Sequence, residues 1–145
     1  MGELVAATQR VLAHGQFILG SEVSEFETAL GVYEQGAHVV GVSSGTDALL
    51  IALMALEVGP EHEVVVPAFS FFATAGVVHR MGAKPVFVDI WPDSYNAKAE
   101  NILDALSSKT RALMPVYLFG QMSDTSPLRQ QNASFAVIED AAQAL

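Results

Sequence analysis

Apolar residues recur along this chain at two spacings, and the pattern changes near residue 36. Before it the spacing is helical. Leu4, Val5, Ala7, Val11 and Leu12 predict a helix over 2–14, with His14-Gly15 as its stop. Gly15 to Gly20 reads as a loop. Ser21 is a good N-cap for a second helix, with Val23, Phe26, Ala29, Leu30 and Tyr33 as its buried stripe and Gly36 as its end. After it, short apolar runs alternate with helical stretches. Strands are expected at 38–42, at 64–66 ending in Pro67, at 85–89, at 111–117 and at 135–138. Helices are expected at 48–56, from the Phe69–Phe72 turn to about Met81, at 100–106, and weakly around Leu128. The 48–56 stretch is apolar nearly all round, which predicts burial. This alternation with short links predicts the α/β class: a mostly parallel sheet in three αβα layers, with right-handed crossovers. The 135–138 run is expected to be a central strand covered on both faces.

Composition narrows the class without changing the pattern. The chain has 145 residues and is 51% hydrophobic, enough for one packed domain. The longest apolar run, Ala48 to Leu56, is about half the roughly 20 residues a membrane helix needs. No signal-peptide pattern opens the chain, and position 6 is Ala where a myristoylation motif has Ser or Thr. Without Cys there are no disulfides, thiol catalysis or cysteine metal sites, and the cytoplasm is the default compartment. Seven basic residues stand against 16 acidic ones, a net charge of −9. That argues against a nucleic-acid partner, because phosphate neutralisation needs Lys and Arg. No membrane association is expected either.

The candidate chemistry lies at the carboxyl ends of strands, where open α/β sheets bind ligands. Ser43-Ser44-Gly45-Thr46-Asp47 follows a strand and opens a helix. It is either an ordinary Ser/Thr cap or a phosphate cradle, since a helix N-terminus offers free N–H groups and positive potential. It is neither a Gly-x-Gly-x-x-Gly nor a Walker loop. Phe69, Phe71 and Phe72 are either core or an aromatic face for a planar ring. Glu139-Asp140 is either an acidic loop or the partner of a protonated ring nitrogen, with Gln143 in reach of a neighbouring oxygen. The four His residues lack metal-ligand spacing, and Asp89 and Asp140 end different strands without forming a local acid/base pair. A phosphate cradle, an aromatic face and an Asp in one sheet together fit a planar, phosphorylated, nitrogen-containing ring such as pyridoxal 5'-phosphate.

Five ordered blocks then carry a resemblance. They are Ser43–Leu49, Val66–Phe71, Gly82–Asp89, Phe119-Gly120-Gln121 and Ile138–Gln143, with Gly15–Gly20 through Glu27 in support. The chain resembles the DegT/DnrJ/EryC1/StrS sugar aminotransferases over nearly its whole length. The resemblance implies the N-terminal part of the large domain of a fold type I pyridoxal phosphate enzyme. Residues 2–35 would be its two N-terminal helices and 38–145 its βα units. It also implies roles. Gly45 and Thr46 would bind the cofactor phosphate with Ser44 nearby, and Phe71 would stack on the ring. Asp140 would hold the ring nitrogen protonated, and Gln143 would contact the ring hydroxyl oxygen. The family's Schiff-base Lys and small C-terminal domain lie beyond Leu145, and none of Lys84, Lys98 and Lys109 matches the Lys position. The chain therefore reads as a fragment, expected to be inactive alone. Tyr117 stands where many members have His, and Met122 to Ser134 is a poor helix beside its usual counterpart.

The implied activity of the full-length protein is amino transfer from glutamate or glutamine to a keto group on a nucleotide-linked deoxysugar, by a homodimer. Two alternatives stay open. One is a dehydratase of the same family with His for the Lys. The other is a cofactor-free binding or regulatory fragment.

Overall fold

In the computed structural model, residues 2–130 and 135–144 are described. The chain divides into two compact units, Met1–Val42 and Ser43–Leu145. The first holds two helices, α1 (Gly2–His14) and α2 (Ser21–Tyr33). Gly15, at φ +72°, ends α1 by returning its N–H to the Val11 carbonyl. The expected cap of α2 is displaced by one residue. Gly20 is the N-cap and has no side-chain bond, while Ser21 is helical and its Oγ meets Glu22. The stripe expected to be buried on α2 is open: Phe26 is 57% and Tyr33 66% exposed, and Gly31 alone of the helix is buried. Two helices in some 40 residues have too little surface to make a core between them.

The strand expected at 38–42 does not form. Its Gly41 N–H donates to the Glu27 carboxylate at 2.7 Å instead of to a neighbouring strand, and Val40 is 78% exposed.

The second unit is a parallel sheet in the order β2-β1-β3-β4, with β1 Glu63–Pro67, β2 Lys84–Val88, β3 Thr110–Leu113 and β4 Ala136–Val137. Val64, Val65 and Val66 are buried on both faces of β1, the middle of the sheet. One face carries α3 (Gly45–Ala55) and α4 (Ala73–Arg80), which pack Leu49, Leu53, Val77 and Val78 on Val64, Val66 and Met114. The other carries α5 (Ala99–Asp104) and α6 (Ser126–Arg129), with Ile102 and Leu128 against Val65 and Leu113. The three-layer α/β architecture is therefore present.

Three expectations change in detail. α3 is buried on one side only, and Ile51 and Met54 face outward because a single helix face meets the sheet. β3 stops at Leu113, and the chain continues to Tyr117 with a single bridge, Val116 to Asp140. β4 is two half-buried residues, Ala136 and Val137, shorter than the expected 135–138, and among the described residues it pairs with β3 alone. Of the weak 122–134 stretch, Ser126–Arg129 is helical, and 131–134 lie outside the described residues.

Candidate functional site

Four segments converge at the carboxyl ends of β1, β3 and β4. They enclose a cavity of about 310 Å³ lined by Gly45 and Thr46, Ser70 and Phe71, Val116 to Leu118, and Asp140, Ala142 and Gln143, among others. That volume is within the range of small-molecule sites. Five of the six residues singled out from the sequence thus meet in one place.

The sixth, Ser44, stands just outside as the N-cap of α3. Its backbone is extended, and its Oγ accepts the Asp47 N–H at 3.1 Å. The Ser43 and Ser44 hydroxyls both donate to the Asp47 carboxylate, at 2.5 and 2.9 Å, and these bonds hold that carboxyl below its ordinary range. Ser44 is therefore the cap of α3. Asp47 N–H is taken by the cap and Ala48 N–H by the Ser44 carbonyl. The Gly45 and Thr46 N–H groups have no acceptor among the described residues, and both residues line the cavity. Two open donors at the positive end of an 11-residue helix suit an anion.

Gly45 leaves room there. A Cβ built on it meets nothing nearer than the Ala142 methyl at 3.9 Å, so the space it would fill is cavity.

Phe71 is 75% exposed and lines this cavity, so the aromatics after β1 are not core. Phe72 is more exposed still, at 82%, with its ring over Gly76. A second cavity, about 550 Å³, shares Thr46, Phe71 and Ala73 with the first and adds Phe72, His79 and Arg80. It is larger but lacks the carboxylate and the paired N–H groups, so the smaller one has the denser chemistry.

Asp140, in the lining of the same cavity, is held by its backbone in both directions. Its N–H donates to Pro115 and its carbonyl accepts from Tyr117, each at 2.9 Å. Its Oδ1 accepts the Ala142 N–H at 3.3 Å. Gln143 accepts the Phe119 N–H on Oε1 at 2.7 Å. A backbone N–H can only donate, so this bond fixes the amide, and what Gln143 can offer the cavity is its N–H₂ end.

Sequence reasoning missed the layer behind these groups. Glu139 accepts from Thr125 Oγ1 at 2.7 Å and from Arg129 Nη2 at 2.8 Å, and it meets the Tyr117 phenol. Burial works to raise the Glu139 carboxyl, but the bonds from Tyr117, Arg129 and Thr125 outweigh it and lower it. Burial and the same contact push the Tyr117 phenol up to about 12. The Glu-Asp order in the sequence marks the outer member, and nothing local marks its partners. The lysines stay away from the site: Lys84 pairs with Glu63 and Lys98 lies over the Trp91 ring. No three His, Asp or Glu among the described residues form a metal-like cluster.

A family model described as the DegT/DnrJ/EryC1/StrS aminotransferase family matches residues 2–145. The chain belongs to that family. A UDP-2-acetamido-2-deoxy-3-oxo-D-glucuronate aminotransferase from Pseudomonas aeruginosa is 45% identical over 140 residues, covering 95% of this chain and 39% of that protein. A Geobacillus stearothermophilus protein named "Pleiotropic regulatory protein" is 43% identical, over 99% of this chain and 39% of its own length. Among solved structures, S. venezuelae DesV in complex with a ketimine intermediate superposes with a TM-score of 0.94 at 39% identity, covering 99% of this chain and 39% of that one. NtdA from Bacillus subtilis, with bound cofactor PMP, gives 0.93 at 36% identity, covering 99% and 34%. The chain thus spans about two fifths of the length of these relatives. They share its fold, that of the fold type I pyridoxal phosphate aminotransferases.

Proposed function

We propose that the cavity holds pyridoxal 5'-phosphate, and that the full-length protein moves an amino group from glutamate or glutamine to a keto group on a nucleotide-linked deoxysugar. The observation that carries this is the presence of two opposite chemistries in the lining of one cavity of about 310 Å³. The Gly45 and Thr46 residues, with their open N–H groups, and the Asp140 residue line that one cavity. The first set suits the phosphate, with Ser44 supporting it as the cap. The second suits a protonated pyridine nitrogen, which Asp140 would keep protonated so that the ring serves as an electron sink when bound. Phe71 supplies a flat face, and the Gln143 N–H₂ end suits the ring hydroxyl oxygen. The adjoining cavity, with its aromatic faces beside His79 and Arg80, has chemistry suited to the bases and phosphates of a nucleotide. The catalytic Lys belongs to sequence after Leu145, and a homodimer in the cytoplasm is part of the same reading. No helix among the described residues is long and apolar enough to cross a membrane.

Asp140→Ala in the full-length protein tests the reading. It is expected to abolish transamination while the protein still folds, because the ring nitrogen loses its anionic partner. Turnover at the wild-type rate would sink the assignment. Two further readings keep some support. A regulatory role without chemistry is favoured by the name of the 43% identical relative. A dehydratase differs only in having His for Lys downstream, so the residue in the coding sequence after the Asp-Ala-Ala-Gln block separates it from a transaminase.

A further inference from the structure

The turn before α5 reaches across to the loop that orients Gln143. Asn96 is 4% exposed, and both ends of its amide are engaged. Its Oδ1 accepts the Leu118 N–H at 3.2 Å, and its Nδ2 donates to the Gln121 carbonyl at 2.7 Å. Between those two bonds lies the 3₁₀ turn Leu118–Gly120, whose middle residue supplies the N–H that fixes Gln143. Left to itself this turn would not hold its shape. Phe119 sits at φ +57°, an unfavourable region for a bulky residue, and Gly120 at φ +82°. Gly120 is also close-packed, since a Cβ there would approach the Gln143 carbonyl oxygen to 3.3 Å. Such strain persists only where surrounding bonds over-determine the backbone. The Asn96 amide supplies two of those bonds, and the Tyr95 ring meets the Phe119 ring edge-on at 5.7 Å.

We infer that Asn96 is a positioning residue for the cofactor site, holding the Leu118–Gln121 backbone so that the Phe119 N–H turns the Gln143 amide with its N–H₂ end toward the cavity. This rests on the reading of the cavity as a pyridoxal phosphate site. Asn96 itself does not line that cavity, and its side-chain amide bonds go to backbone atoms at the two ends of one turn. The inference makes a distinctive demand. Loss of Asn96 should matter only while Gln143 is there to be oriented and the ring carries the oxygen it serves.

The test is a binding cycle on the full-length protein. The probe is pyridoxamine 5'-phosphate, whose amine does not condense with a lysine, and affinity is followed by cofactor absorbance. Asn96→Ala is expected to weaken binding about fivefold, the size of one coupled hydrogen-bonded pair. In a Gln143→Ala background the same substitution should change nothing further. With an analogue of the probe lacking the ring hydroxyl, Asn96→Ala should also be silent. A purely structural role would instead lower affinity equally in both backgrounds and for both ligands, and that result overturns the inference, as does an unchanged affinity in Asn96→Ala. If the wild-type protein fails to bind the probe, the cavity reading falls and the inference with it. If it binds and the cycle shows no coupling, the positioning role alone falls. Asn96→Asp serves the same cycle should the alanine variant not fold, because a carboxylate still accepts the Leu118 N–H but has no donor for Gln121.

Discussion

Gly45 illustrates how one missing methyl can separate stability from binding. Its helical backbone needs no glycine, and a Cβ there would stand in ordinary contact, 3.9 Å from Ala142. Alanine is the better helix former by up to about 1 kcal/mol. Gly45→Ala should therefore leave stability unchanged or raise it slightly, by denaturant melts of the full-length protein. The same methyl would occupy room beside the two open N–H groups. Affinity for pyridoxamine 5'-phosphate is expected to fall about tenfold, or about 1.4 kcal/mol. Undiminished affinity would show that the phosphate does not sit at the α3 N-terminus. Thr46→Ala removes one hydroxyl and leaves both N–H groups, so its loss should be smaller, about two- to fivefold. The order of these two effects distinguishes a backbone cradle from a side-chain one.

At the scale of elements, Glu139 ties α6 to the end of β4, with Thr125 and Tyr117 buried around it at 7% and 3% exposure. Removing its charge while keeping its shape, Glu139→Gln, should cost about 1–2 kcal/mol near neutral pH. The pH dependence has a definite sign. The folded carboxyl lies below its ordinary 4.5, so its stabilisation is present above that value and is lost as the pH falls below it. The stability gap between wild type and the Gln variant should thus close on acidification. A gap that stays constant with pH would mean that the carboxylate charge contributes nothing. The same scale shows what was legible in the sequence. The Val64–Val66 run reads as a strand because it is buried on both faces, and Phe71 and Asp140 follow β1 and β4 closely enough to line one cavity with Gly45 and Gln143, although no strand precedes Gly45. The 38–42 run has the same apolar look but donates its Gly41 N–H to a side chain, a choice that no local pattern records. Asn96 was invisible for the same reason. Its partners are backbone atoms 22 and 25 residues away, which leave no spacing to read.

At the scale of the molecule, the apolar surface is more than these residues cover. Ile51 and Met54 on α3 and Phe72 beside α4 are about half exposed or more, and in the N-terminal unit Ile18 is 87% exposed. Monomeric proteins seldom leave large apolar areas in water, and such areas mark surfaces that other chain segments or partners cover. The relatives are longer proteins, of which this chain matches 39%. A covering role for the remainder predicts a contrast between two preparations. Residues 1–145 expressed alone should bind a hydrophobic dye strongly and sediment as mixed, concentration-dependent species. The full-length protein should bind little dye and sediment as a single homodimer. Weak dye binding and a clean monomer for the short chain would show that its apolar side chains are tolerated in water as they stand.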